Sequence, residues 1–178
     1  MGKKSVKENK NYYQESRENA GLTRAQASEA MDFVSESRIE KIESEKSDPH
    51  PIEILAMADA YKNPSLCNFY CSKKCPIGQQ YVPEIKIRDL SQIVLEMLSS
   101  LNSLNKEKDR LIEITADGII SDDELMDFAV IQDRLKQISL TIDSLQLWVN
   151  NTIASGTIDK DKLAKAQERI KGSSCFIN

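Results

Sequence analysis

At 178 residues, 40% of them hydrophobic and 29% charged, the chain has an ordinary soluble composition and is long enough for one or two domains with real cores. Its net charge is −4, with 10 basic against 12 acidic residues up to Lys62 and 14 against 16 after it, which argues against a non-specific nucleic-acid coat. Helix formers dominate, Gly and Pro are few, and no stretch alternates with period two for long, so the expected class is all-α. The opening MGKKSVKENKNYYQ is polar and basic and has no apolar core, unlike a secretion signal. Apolar runs are far too short for a membrane span. Four cysteines without an export signal point to reduced thiols in a cytoplasm.

Taken in order, residues 1–10 carry Lys3, Lys4, Lys7 and Lys10 and read as a flexible basic N-terminus. A first helix is predicted from about Tyr12 to Ala20, stopped by Gly21. Thr23 can cap a second helix, in which Ala25, Ala27, Ala30 and Met31 recur at helical spacing. After a break at Asp32-Phe33-Val34, Ser35 can cap a third. Its apolar residues are Ile39 and Ile42, and its other faces carry Glu36, Ser37, Arg38, Glu40 and Lys41. The turn Ser47-Asp48-Pro49-His50-Pro51 is rigid, and Pro51 suits a first helical position. A fourth helix holds Ile52, Leu55, Ala56, Ala58 and Ala60, and a fifth starts near Ser65. His50, the sole histidine, reads as a surface residue between two prolines.

Two helices this short cannot bury their apolar faces alone, and a second helix with short polar side chains in its first turn suits a DNA major groove. The stretch from Tyr13 to about Leu66 resembles the lambda-repressor-like (Cro/repressor, XRE-type) helix-turn-helix family. The resemblance rests on Arg17, Gly21-Leu22-Thr23, the run from Ser35 to Glu43, Lys46, Pro49, and Ile54-Leu55 with Ala58. Two features depart from that pattern: one extra residue before Ser35, and Glu45 where the family usually has Gly. The resemblance implies a five-helix DNA-binding domain over 11–75. It places base contacts at Glu36, Ser37 and Lys41 and a backbone contact at Arg24, and Ser35, Arg38 and Lys46 complete the expected DNA-binding set. The lysines of residues 1–10 could then lie along the DNA backbone.

Cys67, Cys71 and Cys75 are spaced by four and should stack along one side of the fifth helix until Pro76-Ile77-Gly78 ends it. With His50 or Cys175 as a fourth ligand they could hold zinc or an iron–sulfur cluster. Paired CxxC knuckles are missing, so a buried packing stripe is the preferred reading, and no metal or other cofactor is expected.

Residues 76–83 read as a linker. Beyond it, Leu90, Val94, Met97, Leu101, Leu104, Lys108 and Leu111 form one heptad seam, and Phe128, Ile131, Leu135, Ile138, Ile142, Leu145 and Val149 a second. The connections around Asp117-Gly118 and Ser155-Gly156 resemble the middle of an EF-hand loop. Lys162 occupies the acidic position of the second copy, and the first copy lacks the dense carboxylates a hard cation needs. Each connection is better read as Gly closing one helix while Ser121 or Asp159 caps the next. Three antiparallel helices are predicted, about 84–116, 121–152 and 159–171, as a bundle or coiled coil over 84–172 with a tail at 173–178.

No Ser/His/Asp set, phosphate-binding glycine loop or pair of buried carboxylates can be placed, so an enzyme is not expected. The expectation is a sequence-specific transcriptional regulator, a dimeric repressor on double-stranded DNA, paired through the 84–172 bundle. Two alternatives stand beside it: a protein-interaction adaptor that keeps the fold with little DNA affinity, and a metal- or redox-responsive regulator using the cysteine stripe.

Overall fold

The computed structural model describes residues 10–173. The expected basic start with Lys3, Lys4 and Lys7 and the tail with Cys175 lie outside the described residues. Within them the chain is all helical, with nine helices and no strand. Its contacts divide it into two compact units, one of residues up to Glu84 with those from Val149 onward, the other Ile85–Trp148.

The first unit is built on α1 (Tyr12–Asn19), α2 (Arg24–Met31), α3 (Glu36–Glu43), α4 (Pro51–Ala60) and α5 (Ser65–Lys73). The starts follow from side-chain capping. Asn11 accepts from the Gln14 amide, Thr23 and Gln26 form a reciprocal capping box, and Ser35 accepts from the Arg38 amide. None of these short helices is stable alone, so packing decides. Val34, Ile39, Ile42, Ile54, Met57 and Leu66 are fully buried in one cluster with Tyr13, Ala27, Met31 and Tyr61. Phe69 of α5 closes its edge, 4.7 Å from the Tyr12 ring centroid and 5.7 Å from that of Tyr13.

The break before Ser35 contains a γ-turn at Asp32 (φ 54°, ψ −52°), where the Phe33 amide donates to the Met31 carbonyl at 2.6 Å. Glu45, at the position where glycine is expected, is left-handed with φ 58°. The Lys46 amide reaches the Lys41 carbonyl at 2.9 Å and the Glu45 amide the Ile42 carbonyl at 3.1 Å, a complete Schellman exit. A side chain at that left-handed position carries a strain cost that glycine would not.

After α5 the structure corrects the expected cysteine stripe. The helix ends at Lys73, and Cys75, held extended by the following proline, instead caps a short further helix α6 (Pro76–Tyr81) that the sequence reading does not anticipate. α6 lies so close to α5 that a Cβ on Gly78 would sit 2.1 Å from the Cys71 carbonyl oxygen. The final turns of α8 and all of α9 (Lys160–Ser173) also group with this unit. There Ser65 Oγ and the Asn151 amide exchange hydrogen bonds of 3.1 and 3.3 Å.

The second unit comprises α7 (Leu90–Thr115) and most of α8 (Leu125–Ala154). Between the two helices Gly118 turns left-handed at φ 74°, and Ser121 bonds the Glu124 carboxylate, at 2.6 Å from Oγ. Arg110 Nε donates to Asp127 Oδ2 at 2.7 Å. Ile93, Ile114, Ile131 and Leu147 are buried. The seam positions Leu90, Val94, Leu101, Leu135 and Ile142 stay exposed. The contacts thus divide α8 near its end, which the heptad pattern does not announce.

Candidate nucleic-acid interface

Residues Ser35 to Lys46 present one exposed surface. Ile39, Ile42 and Glu43 turn inward, while Ser35, Glu36, Ser37, Glu40, Lys41, Glu45 and Lys46 face solvent. Of the expected base readers, Glu36 and Lys41 are exposed and lie on the outer face of α3. Ser37 Oγ lies 3.2 Å from Ser35 Oγ, and the latter already accepts from the Arg38 amide. Lys46 is exposed just past the left-handed residue that ends α3. The surface therefore carries three carboxylates, Glu36, Glu40 and Glu45, against Lys41 and Lys46.

Two arginines of the expected set are engaged inside the domain. Arg24, at the first position of α2, donates Nε to Glu43 Oε2 at 2.8 Å, with its side chain still 35% exposed. Arg38 is more fully committed, using four of the five N–H groups a guanidinium carries. Nε and Nη2 clasp Glu53 at 2.7 Å each, Nη1 reaches Ser47 Oγ at 2.6 Å, and Nη2 also reaches the Asp48 carbonyl at 2.8 Å. The hydrogen bond to Glu53 holds the Arg38 guanidinium above its usual pKa, and the same bond holds the Glu53 carboxyl below the usual carboxylate range.

Beneath α3 lies a buried network that reading for DNA contacts missed. Arg17 on α1 clasps Glu43 through Nε at 2.5 Å and Nη2 at 3.0 Å, and its Nη1 donates to the Leu22 carbonyl at 2.7 Å. Burial is the largest single influence and lowers the Arg17 pKa, but the hydrogen bond to Glu43 and the charges of Glu43, Tyr61 and Glu18 together outweigh it and raise the pKa. The signal was present in the spacing. Glu43 follows the buried Ile39 by four residues and so falls on the same inward face of α3.

The thiols show no such convergence. Cys67 packs against the core, its thiol pKa pushed up by burial, and Cys75 Sγ accepts the Gly78 amide at 3.5 Å. Among the described residues no group of three His, Cys, Asp or Glu side chains is placed to hold a metal ion, and no helix is long and apolar enough to cross a membrane.

Residues 14–65, α1 to the first residue of α5, match the model of a helix-turn-helix family. That is the lambda-repressor-like, XRE-type fold, a DNA-binding domain of transcription regulators. No curated protein and no solved structure matches the chain.

Proposed function

We propose that the chain is a sequence-specific, dimeric transcriptional repressor that reads double-stranded DNA with α3 of its helix-turn-helix domain. The observation that carries this reading is the exposed strip of Glu36, Ser37 and Lys41 on a helix locked from behind by Arg17, Arg24 and Glu43. In a major groove, Glu36 would accept from a cytosine amino group and Lys41 would donate to guanine, each worth about 1–3 kcal/mol of discrimination. Lys46 and the open part of Arg24 are the phosphate contacts in this reading. The test is retention of the full chain on a random duplex pool at two salt concentrations. A selected sequence whose preference shifts in Glu36→Ala and Lys41→Ala supports the assignment, and unchanged preference rejects it.

The second partner is another copy, paired through the long helices of residues 84–172. Leu90, Val94, Leu98, Leu101, Leu135 and Ile142 give an apolar face that a single chain leaves exposed, and pairing would cover it. A head that reads few base pairs also gains half-site spacing from a two-fold partner. Sedimentation of the full chain as a monomer at micromolar concentration counts against the pairing.

One observation favours the adaptor reading. With Arg38 neutralised by Glu53, the first turns of α3 offer Glu36 and Glu40 against Lys41 alone. Absence of retention on any duplex at low salt would select that reading.

A further inference from the structure

We propose that Arg38 is a positioning residue that sets the pose of the recognition helix, and that it does so without touching DNA. This rests on the DNA-reading role of α3. Arg38 is the third residue of α3 and Glu53 the third residue of α4, so their ion pair joins the first turns of the two helices. The same guanidinium holds the turn between them, through Ser47 Oγ and the Asp48 carbonyl. Glu53 completes the loop by accepting the His50 amide at 2.6 Å. Arg17 and Arg24 hold the far end of α3 through Glu43, and Arg38 ties its first turn, which carries Glu36 and Ser37, to α4 and to the turn that follows Lys46.

Chemistry separates this role from a phosphate contact. Swinging Arg38 toward a phosphate would strand the Glu53 carboxylate, whose side chain is only 10% exposed, beside a second anion. Lys cannot substitute, because one ammonium lacks the planar fork that meets a carboxylate, a hydroxyl and a carbonyl at once. The pair also adds no net charge to the DNA-facing surface.

The experiment compares Arg38→Gln, Arg38→Lys, Glu53→Gln and the double variant Arg38→Gln/Glu53→Gln for affinity and salt slope on the preferred duplex. The expected result is at least a tenfold loss in each single variant, no rescue by Lys, and a double variant about as weak as either single. The slope of log affinity against log salt stays that of the wild type. A phosphate contact predicts the opposite: Arg38→Gln makes the slope shallower by about 0.9, and Glu53→Gln tightens binding by removing a repelling charge. That outcome overturns the proposal. Amide exchange on the DNA-free protein supplies an independent arm. Faster exchange across residues 44–50 in Arg38→Gln, at unchanged protection of the α1 and α5 amides, supports positioning even where no duplex is retained. Unchanged exchange there overturns it.

Discussion

The head and the long-helix unit use their apolar residues in opposite ways. Through α1–α5, five short helices converge on one cluster, and Ile39, Ile42, Ile54, Met57 and Leu66 are fully buried. In Ile85–Trp148 two long helices bury Ile93, Ile114, Ile131 and Leu147 but leave Leu95, Leu98, Met126 and Leu135 about half exposed or more. Short helices gain stability only by closing around a shared core. Long amphipathic helices are held by their own backbone bonds over many turns, so an apolar stripe can stay open for a second surface. The head closes its apolar residues around one core, and the long helices leave much of theirs open to solvent.

The strongest way to break the head is from within its ion network. Glu43→Ala should cost about 3–5 kcal/mol, because it leaves the Arg17 guanidinium, with a side chain only 8% exposed, buried without its carboxylate. Urea unfolding monitored at the head reads this out. A loss below 1 kcal/mol would mean the pair is solvated in solution. Next comes packing. Ile39→Ala, at 0% exposure, should cost about 2–5 kcal/mol by opening a cavity in the shared core.

Acid should loosen the same region from another side. The Glu53 carboxyl is held below its unfolded value, near 4.3 for a free Glu. Its contribution is therefore complete above that value and is lost as pH falls through the depressed folded value. A charge-assisted bond of this kind is worth about 1.5–3 kcal/mol, so wild type and Glu53→Gln should converge in stability in acid and differ at neutral pH. Parallel melting curves at every pH would contradict it.

A smaller effect is expected at the exit of α3. Glu45→Gly removes roughly 1–2 kcal/mol of left-handed strain and costs about 0.5–1 kcal/mol in unfolded-state entropy. The melting temperature should rise slightly, and a fall would show that the Glu45 side chain has a stabilising partner. Smallest of all is Leu98→Ala on the open face of α7, where exposure is 52%. It should move chain stability by no more than about 0.5 kcal/mol while weakening self-association in sedimentation. A cost equal to that of Ile39→Ala would erase the contrast between the two units.

The sequence alone determined the all-α class, the capping residues Thr23 and Ser35, the five helices of the head and the three long segments after it. It could do so because each rests on local chemistry: a side chain bonding an amide three residues on, or an apolar stripe at helical period. It also marked both places where the chain departs from the helix-turn-helix pattern, since an inserted residue and a missing glycine are visible without coordinates. What those departures become was decided only in three dimensions. The γ-turn at Asp32 and the left-handed Glu45 are conformations the isolated residues disfavour, and no helical period announces them. The engagement of the arginines was likewise decided only there. Arg38 looks like an open cation in the sequence, and its partner Glu53 is 15 residues away. Arg17 and Glu43 are 26 residues apart, and only the closing of α1 over α3 makes them a pair. Long-range ion pairs depend on how helices pack, and nothing in local periodicity specifies which distant carboxylate will be met.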